Sequence, residues 1–486
     1  MLLVKNRKVT PTPTPIDTKR QAFEYQEKGL EFLKDKKRVA LFWEMRLGKS
    51  LVTLRWLHAN NVKRALIVCP LSVISSWENE CKLEQQTLAI LRSSDKRNGM
   101  LNLFSNQFML NLPLYAVTNY EAILSTDIGN LKKYNWQAII LDESTTIRRP
   151  QARISQIATK IWQDAEYKAV LTGTPVPESI IDVFQQCQFL HNSFMNCDNY
   201  WKFKARYFFD IGGGKCRTTT NGLKEIRAAL EPFSMVLTRK EVGIQCEKLY
   251  SKREVDFDKE YRKQYDTVEQ TFGLTIDSSN TNPSANAATQ TQFAIVAQSW
   301  LHQMAGGFPK IFPISRHKID YLHQLIKDEE REENEKLVIW CQFTKEIETI
   351  YDELNKEYPN QVGKISGKVE LSDRTDTIRD FQSPSGKIKY LICQLRTARM
   401  GLDFSAADTA IYFSNSWHRL DRLQSEDRVI HPQKTKPVYI IDLVTKNSID
   451  EDLLISMQEK KRSTDELLQG AFRNFLKRHG ITNGSV

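Results

Sequence analysis

Short apolar runs with the composition of β-strands alternate with helical patterns in two long stretches of the chain. Such alternation is typical of parallel strands joined by crossover helices, so each stretch predicts an α/β sheet. The predicted strands of the first stretch are Val39–Trp43, Ala65–Cys69, Leu114–Val117, Ala138–Leu141 and Ala169–Leu171. Those of the second stretch are Leu337–Cys341, Gly363–Ile365, Tyr390–Cys393, Thr409–Phe413 and Val438–Leu443.

The length of 486 residues is too great for one hydrophobic core, so two or three domains are expected. We expect a basic, flexible arm over 1–18, a first α/β lobe over 19–245 with a protrusion at about 191–235, a helical insertion or linker over 246–310, a second α/β lobe over 311–460 and a helical tail over 461–486. Within the insertion, the polar residues 275–292 are low in sequence complexity and predict a flexible loop.

Composition argues against several classes of protein. The eight cysteines are scattered without a Cys-x-x-Cys motif, which favours reduced thiols in a cytoplasmic protein over a disulfide framework or a zinc site. No apolar run approaches the roughly 18 residues of a membrane span, so no membrane partner is expected. The net charge of +10 favours a polyanionic partner only if other features also indicate nucleic acid.

A loop suited to binding phosphate follows the first predicted strand and precedes a helical pattern. Backbone N–H groups of such a loop surround the phosphates, Lys49 would neutralise the β/γ charge, and the Ser50 hydroxyl would bind Mg²⁺. The pattern is incomplete, because Trp43 occupies the place of its first glycine and Arg46 adds bulk inside the loop. Alone, the segment fits a turn into a surface helix equally well.

Two adjacent carboxylates, Asp142 and Glu143, follow a buried strand pattern. Ligands of open α/β sheets bind at the carboxyl ends of the strands, which is where this pair is expected. Asp142 could hold Mg²⁺, while Glu143 could orient or deprotonate an attacking water. An isolated Asp-Glu pair more often begins a surface turn, but the apolar run before it and the phosphate loop upstream favour function here.

Two further polar segments gain meaning only from these motifs. Thr172 and Thr174 lie in a short loop after the next predicted strand, where they could hydrogen-bond the carboxylates; alone, the loop would be an ordinary β-turn. Arg428 lies on a helical pattern in the second half of the chain. It could reach across a cleft to stabilise charge on a transferring phosphoryl group, or it could be one more solvated charge.

Taken together and in order, these motifs resemble those of superfamily 2 helicase-like ATPases of the Swi/Snf chromatin-remodeller type. The resemblance runs from about Phe23 to Leu454. In the first half it rests on Tyr25-Gln26, Glu44–Lys49, Pro70–Val73 with Trp77, Thr118–Glu121, Asp142–Thr145 and Leu171–Pro175. In the second half it rests on Gln342–Thr344, Gly367, Arg374, Phe381, Arg396, Gly401, Leu402, Trp417, Gln424, Asp427 and Arg428.

The resemblance implies two RecA-like parallel-sheet lobes in tandem, with helical protrusions and a C-terminal helix. ATP and Mg²⁺ would lie between the lobes, and DNA would lie across them without sequence specificity. The implied catalytic residues are Lys49, Asp142, Glu143 and Arg428, with Ser50 and Asp142 at the metal. The implied ATP contacts are Tyr25, Gln26, Leu47, Gly48, Lys49, Ser50, Gly401, Asp403 and Arg428. The implied nucleic-acid contacts are Ser72, Trp77, Thr118, Tyr120, Thr172, Thr174, Gln342, Thr344, Arg396 and Trp417.

The chain also departs from the family pattern. Arg46 replaces a glycine, Asp403 replaces an asparagine, and His431 stands near the place of a second arginine. A neutral histidine cannot supply the charge of an arginine finger, so Arg428 would act alone, Arg399 or Arg422 would reach in, or turnover would be slow. We expect Arg428 to act alone. Arg46 would either add positive charge at the phosphates or point to solvent.

These features predict a DNA-dependent ATPase, expected as a monomer, that translocates on double-stranded DNA and remodels branched DNA or protein–DNA complexes. A strand-separating helicase and a weakly hydrolysing, ATP-gated DNA clamp are the alternatives. The absence of flanking modules suggests a compact bacterial or phage form of the family. The aromatic segment Trp201–Phe209 is expected to pack inside the protrusion, although stacking on DNA is an alternative.

Overall fold

The computed structural model of the protein describes residues 21–91, 114–124, 135–210, 216–243, 247–280, 287–309, 313–328, 335–367, 369, 371–400, 402–431, 434 and 436–458. The expected arm (1–18) and tail (461–486) lie outside these ranges. Within these ranges, no helix combines the length and apolar character that crossing a bilayer requires.

The first lobe is built on a seven-stranded parallel sheet in the order β3-β4-β2-β5-β6-β1-β9. Its first six strands are β1 (Arg38–Trp43), β2 (Arg64–Cys69), β3 (Leu88–Leu91), β4 (Leu114–Asn119), β5 (Ala138–Asp142) and β6 (Tyr167–Leu171). Strands β7 (Phe208–Asp210) and β8 (Cys216–Thr218) form a separate antiparallel hairpin. Strand β9 (Ser234–Leu237) then returns to the edge beside β1. All five predicted strands are present, whereas β3 and β9 were not predicted.

Alternate side chains of the sheet enter two apolar cores, one on each face. In β1, Ala40 and Phe42 belong to one core, while Val39 and Leu41 belong to the other. The helices that cover the sheet and form the protrusion are α1 (Glu24–Leu33), α2 (Lys49–Ala59), α3 (Ile74–Leu83), α4 (Arg153–Ile161), α5 (Val183–Leu190), α6 (Tyr200–Tyr207) and α7 (Thr220–Leu230). Burial on both faces explains why these strands are continuous apolar runs in the sequence.

The protrusion carries the aromatic segment Trp201–Phe209 on α6 and the hairpin. Phe203, Tyr207 and Phe208 are buried in the core of the first lobe, where the ring of Phe203 stacks on that of Phe184. Trp201 and Phe209 instead remain 59% and 47% exposed. The segment is therefore divided between core and surface, rather than wholly packed.

The second lobe is built on a six-stranded parallel sheet in the order β10-β15-β14-β11-β13-β12. Its strands are β10 (Lys248–Val255), β11 (Lys336–Cys341), β12 (Val362–Ile365), β13 (Tyr390–Gln394), β14 (Ala407–Tyr412) and β15 (Val438–Thr445). The expected two-lobed parallel-sheet architecture is confirmed. However, β10 lies in the segment expected to be an insertion or linker, and that assignment is wrong for these residues. As a charged edge strand, β10 lacks the apolar run of a central strand.

Six further helices complete the second lobe: α8 (Lys259–Asn280), α9 (Ala287–Ala305), α10 (His317–Asp328), α11 (Thr344–Glu357), α12 (Leu371–Gln382) and α13 (Arg419–Arg428). Residues 449–458 are also helical. The prediction of a flexible loop over 275–292 is wrong for most of its length, because 275–280 belong to α8 and 287–292 belong to α9. Residues 281–286 lie outside the described residues. Helices α8 and α9 lie against each other, and such tertiary packing can override weak local helix propensity.

Candidate active site between the two lobes

The loop from β1 to α2 is shaped by a glycine and a buried glutamine. Gly48 adopts a left-handed conformation with φ of 78° and caps α2. The positive φ disfavours any side chain at this position, and a Cβ atom would lie 2.2 Å from Nε2 of Gln26, so Gln26 would have to shift. Nε2 of Gln26 donates to the carbonyl of Leu47 at 3.1 Å, and Ser50 follows in the first turn of α2. The loop is thus held against α1, which also carries Tyr25.

Lys49 begins α2 and folds back over the loop. Its Nζ donates to the carbonyls of Trp43 and Glu44 at 2.8 and 3.2 Å. Burial lowers the pKa of the Lys49 ammonium, and the negative charges of Glu143 and Asp142 oppose this effect. The ammonium therefore lies in the same electrostatic environment as the two carboxylates.

Asp142 ends β5 and is held from two sides by aromatic residues. The indole N–H of Trp77 donates to Oδ2 at 2.8 Å, and the hydroxyl of Tyr120 donates to the backbone oxygen of Asp142 at 2.8 Å. Burial raises the pKa of Asp142, whereas the positive charge of Lys49 and the Trp77 hydrogen bond lower it. The carboxylate therefore has a fixed orientation at the carboxyl edge of the sheet.

Glu143 adopts a left-handed backbone conformation with φ of 50° directly after the strand. Burial, and then the negative charge of Asp142, raise the pKa of Glu143 to about 7, while Lys49 and Arg428 act in the opposite direction. The hydroxyl of Thr172 donates to Oε2 of Glu143 at 3.4 Å. A carboxylate whose pKa lies near neutrality is suited to accept a proton from water.

Arg428 reaches this environment from the end of α13 in the second lobe. It is 8% exposed, and burial lowers the pKa of its guanidinium. The negative charge of Glu143 makes the largest contribution in the opposite direction. The structure thus brings Lys49, Asp142, Glu143 and Arg428 to one cleft. Gly401 and the side chain of Arg399 lie outside the described residues.

Arg422 does not reach the cleft, which removes one of the alternatives to Arg428. Its guanidinium binds both carboxylate oxygens of Asp442, donates to Glu426 at 2.7 Å and lies 3.5 Å from the ring centroid of Tyr412. All of these partners belong to the second lobe, so Arg422 stabilises that lobe from within.

Four expected nucleic-acid contacts are buried, and their side chains cannot meet DNA on the surface. Trp77, Thr118 and Thr172 are 0% exposed and Tyr120 is 1% exposed. Trp77 and Tyr120 instead bind Asp142, while the hydroxyl of Thr118 donates to the carbonyl of Leu91 at 2.9 Å. The expectation is wrong for these four, because short polar motifs after strands do not reveal which side chains turn inward. The others remain at least partly accessible: Ser72, Thr174, Gln342, Thr344, Arg396 and Trp417.

Two arginines of the first lobe bind the second lobe beside the cleft, and sequence reasoning missed both contacts. Nη2 of Arg46 lies 2.7 Å from Oδ1 of Asp403, so the side chain does not simply point to solvent, while its contribution of positive charge at the phosphates stays a prediction. Nη2 of Arg239 donates to Oδ1 of Asp427 at 2.6 Å, and its Nε lies 3.1 Å from Oε2 of Glu44. The departures at positions 46 and 403 were visible in the sequence, but their pairing was not.

Two family descriptions match the chain. Residues 25–304 match the SNF2-related domain, and residues 317–433 match the helicase conserved C-terminal domain. A solved structure of a Sulfolobus solfataricus SWI2/SNF2 ATPase core in complex with dsDNA is 21% identical, with a TM-score of 0.43, and the alignment covers 96% of this chain and 98% of that one.

Curated relatives are similar over nearly the whole chain but are much longer. The ATP-dependent helicase brm of Drosophila melanogaster is 23% identical over 92% of this chain and 29% of its own length. The chromodomain-helicase-DNA-binding protein 6 of Mus musculus is 24% identical over 95% of this chain and 18% of its own length. The ISWI chromatin-remodeling complex ATPase ISW1 of Saccharomyces cerevisiae is 23% identical over 93% of this chain and 41% of its own length. The chain therefore spans less than half of each of these relatives.

The first family match covers more than half of the chain and includes the phosphate loop and both carboxylates. The second covers the helix that carries Arg428. The chain therefore belongs to the SNF2-related family of helicase-like ATPases.

Proposed function

We propose that the protein is a DNA-dependent ATPase that translocates along double-stranded DNA and remodels branched DNA or DNA-bound proteins. The observation that carries the proposal is the position of Arg428 at the cleft, close enough to Glu143 for each charge to shift the pKa of the other. A site assembled from two lobes can couple hydrolysis to their relative movement, because it is complete only when the lobes are together.

The residues of the cleft fit ATP with a magnesium ion. The Ser50 hydroxyl and the Asp142 carboxylate offer oxygen ligands, which Mg²⁺ prefers. Two such protein ligands are enough when phosphate oxygens and waters complete the coordination shell. Bound there, Mg²⁺ would neutralise phosphate charge. Tyr25, Gln26, Leu47, Gly48 and Asp403 are proposed as further ATP contacts.

In the proposed reaction, Glu143 accepts the proton of the water that attacks the γ-phosphate. Lys49 and Arg428 stabilise the charge that develops on the phosphoryl oxygens from opposite sides of the cleft, a contribution worth about 10³–10⁵ in rate for an arginine. Trp77 and Tyr120 keep the Asp142 carboxylate and backbone in place during turnover.

We propose that DNA binds along the accessible residues Ser72, Thr174, Gln342, Thr344, Arg396 and Trp417. These side chains come from both lobes, so closing the cleft would move them relative to each other. Contacts to phosphates by arginine, hydroxyl and amide groups carry no sequence information, as a translocase requires. Because one chain supplies both lobes, a monomer would suffice.

ATP hydrolysis measured with duplex, branched and single-stranded DNA tests the proposal. We expect duplex and branched DNA to stimulate hydrolysis, and we expect the protein to displace a third strand from a DNA triplex. Stimulation by single strands alone would favour the strand-separating helicase instead. If no DNA stimulated hydrolysis while ATP still strengthened DNA binding, the ATP-gated clamp would be the correct function.

A further inference from the structure

We propose that Arg46 and Asp403 act as a pair of positioning residues that fixes the main chain of Arg428 over the phosphate loop. The inference rests on the proposed function, in which Arg428 stabilises the transferring phosphoryl group. Arg46 and Asp403 both depart from the family pattern, and the inference gives them one shared role. That role is to keep the two lobes aligned during hydrolysis.

The guanidinium of Arg46 contacts two segments of the second lobe at once. Its Nη2 lies 2.7 Å from Oδ1 of Asp403 and 3.4 Å from the carbonyl oxygen of Arg428. The same carbonyl accepts the N–H of Phe404 at 3.0 Å, and Oδ1 of Asp403 accepts the N–H of Ser405 at 3.0 Å. One side chain of the first lobe is thereby joined to the backbone from which the Arg428 side chain projects.

The backbone of Arg46 indicates that this placement is not incidental. Arg46 has φ of 68°, in the left-handed region that glycine enters freely and that other L-residues enter at a cost. Both of its described hydrogen bonds go to the second lobe, so the side chain at this strained position is used between the lobes. Strained residues of this kind are concentrated at functional sites.

The charges of the pair favour a role in alignment over a role in stability. Burial tends to raise the pKa of Asp403, but the charge of Arg46 and the N–H of Ser405 outweigh it and hold the pKa below its usual value. Asp403 is therefore ionised at neutral pH. However, its side chain is 51% exposed, and ion pairs this open to solvent contribute little to folding.

Small changes in alignment have large effects on such a reaction. Misplacing a reacting or stabilising group by about 1 Å can cost roughly 100-fold in rate. Arginine is suited to holding the alignment because its planar guanidinium offers several donors in a fixed geometry, whereas the single ammonium of lysine does not. A glycine at position 46 would leave the carbonyl of Arg428 held from within its own lobe alone.

The test compares steady-state ATP hydrolysis at saturating duplex DNA for Arg46→Gly, Asp403→Asn and the double variant. We expect Arg46→Gly to lower kcat by about 10–100-fold with little change in KM for ATP, because alignment is lost while ground-state binding is kept. The melting temperature should not fall, because glycine relieves the backbone strain. Asp403→Asn alone could also disturb a proposed ATP contact, so the decisive comparison is the double variant. It should be no slower than the slower single variant.

Two controls make the outcome specific. Arg46→Lys should recover part of kcat, while Arg379→Ala, which removes an exposed arginine paired with Asp376 on α12, should leave kcat unchanged. A kcat of Arg46→Gly equal to or above that of the unmodified protein would overturn the inference, as would independent, multiplicative effects of the two substitutions. If the unmodified protein itself showed no DNA-stimulated hydrolysis, the proposed function would fail instead. If Arg428→Ala were inactive while Arg46→Gly were normal, the inference alone would fail.

Discussion

The indole N–H of Trp77 donates a hydrogen bond of 2.8 Å to Oδ2 of Asp142. Trp77 lies on α3, which follows a segment that resembles a DNA-contacting motif, and the side chain is fully buried. Asp142 ends β5 at the cleft. A helix behind the proposed DNA surface therefore touches a carboxylate of the ATP site directly. This contact gives the two sites a physical connection within the first lobe.

Trp77→Phe is expected to lower ATP hydrolysis while leaving DNA affinity nearly unchanged. Phenylalanine keeps the aromatic ring but removes the donor, so the buried Asp142 carboxylate loses a hydrogen bond worth about 1.5–3 kcal/mol. Steady-state hydrolysis and duplex binding by fluorescence anisotropy are the measurements. Trp56→Phe is a matched control, because the indole of the buried Trp56 donates to the carbonyl of Lys36 at 3.1 Å. A larger loss of DNA affinity than of hydrolysis for Trp77→Phe would contradict the assignment.

Lys49→Ala and Glu143→Gln are expected to abolish hydrolysis in different ways. Removing the ammonium of Lys49 should weaken ATP binding, because the phosphates lose a cation proposed to neutralise them. Glu143→Gln keeps the size of the side chain but cannot accept a proton, so ATP should still bind. Equilibrium binding of a fluorescent ATP analogue, measured beside hydrolysis, separates the two effects. Normal turnover by Glu143→Gln would show that another group activates the water.

Hydrolysis is expected to fall as the pH is lowered through neutrality. The pKa of Glu143 is about 7, so its basic form decreases about tenfold between pH 8 and pH 6, and kcat/KM for ATP should follow. The raised pKa also affects stability. Between about pH 4.5 and pH 7 the native protein keeps a proton on Glu143 that the unfolded chain has lost, so the free energy of unfolding falls as the pH rises through this range. ATP binding by Glu143→Gln over the same range is the control. A flat kcat/KM profile between about pH 6 and pH 8 would exclude Glu143 as the base.

Arg396→Ala is expected to weaken duplex binding for all sequences alike. Arg396 is exposed on the short helical segment Leu395–Met400, and losing one phosphate contact should reduce the slope of log affinity against log salt by about 0.9. Binding titrations at several salt concentrations measure this. Arg379→Ala removes an equal charge from another exposed position and should leave the slope unchanged. Equal slopes for Arg396→Ala and the unmodified protein would remove Arg396 from the DNA surface.

Lys318→Met is expected to destabilise the second lobe by about 3–5 kcal/mol, because it leaves the buried Asp450 carboxylate without its cation. Nζ of Lys318 lies 2.6 Å from Oδ2 of Asp450, and both residues are buried. Chemical denaturation monitored by fluorescence gives the change. Lys364→Met breaks the more exposed pair with Glu348 and should cost less than about 1 kcal/mol. Adding Asp450→Asn to Lys318→Met should restore part of the lost stability, and a further loss would contradict this account.

The architecture was predictable from sequence wherever strands are buried on both faces. The strands β1, β2 and β5 are continuous apolar runs because helices cover both sides of their sheet. The strand β10 lies at a sheet edge and has charged residues at four of its eight positions, which left no apolar run to detect. Its membership of the second sheet depends on pairing with β15, which lies far along the chain.

The cleft was predictable in part for a related reason. The phosphate loop and the carboxylates follow strands, so local patterns place them at the sheet edge. By contrast, the ion pair between Arg46 and Asp403 joins residues 357 positions apart, and no local pattern records how two lobes face each other. The inward orientation of Trp77 and Tyr120 was also invisible, because their motifs show residue types and spacing but not burial.

The edge strand β10 also lies directly after the segment that joins the two lobes. The first sheet ends with Leu237 and the second begins with Lys248, so residues 238–247 join the two sheets. Even fully extended, such a tether spans only roughly 35 Å at about 3.5 Å per residue. Arg239 and Lys248, at its two ends, both bind carboxylates of α13. The tether and the ion pair between Arg239 and Asp427 therefore join the two lobes at one corner of the molecule. If the lobes rotate relative to each other about this corner, the parts of the cleft farthest from it must travel farthest.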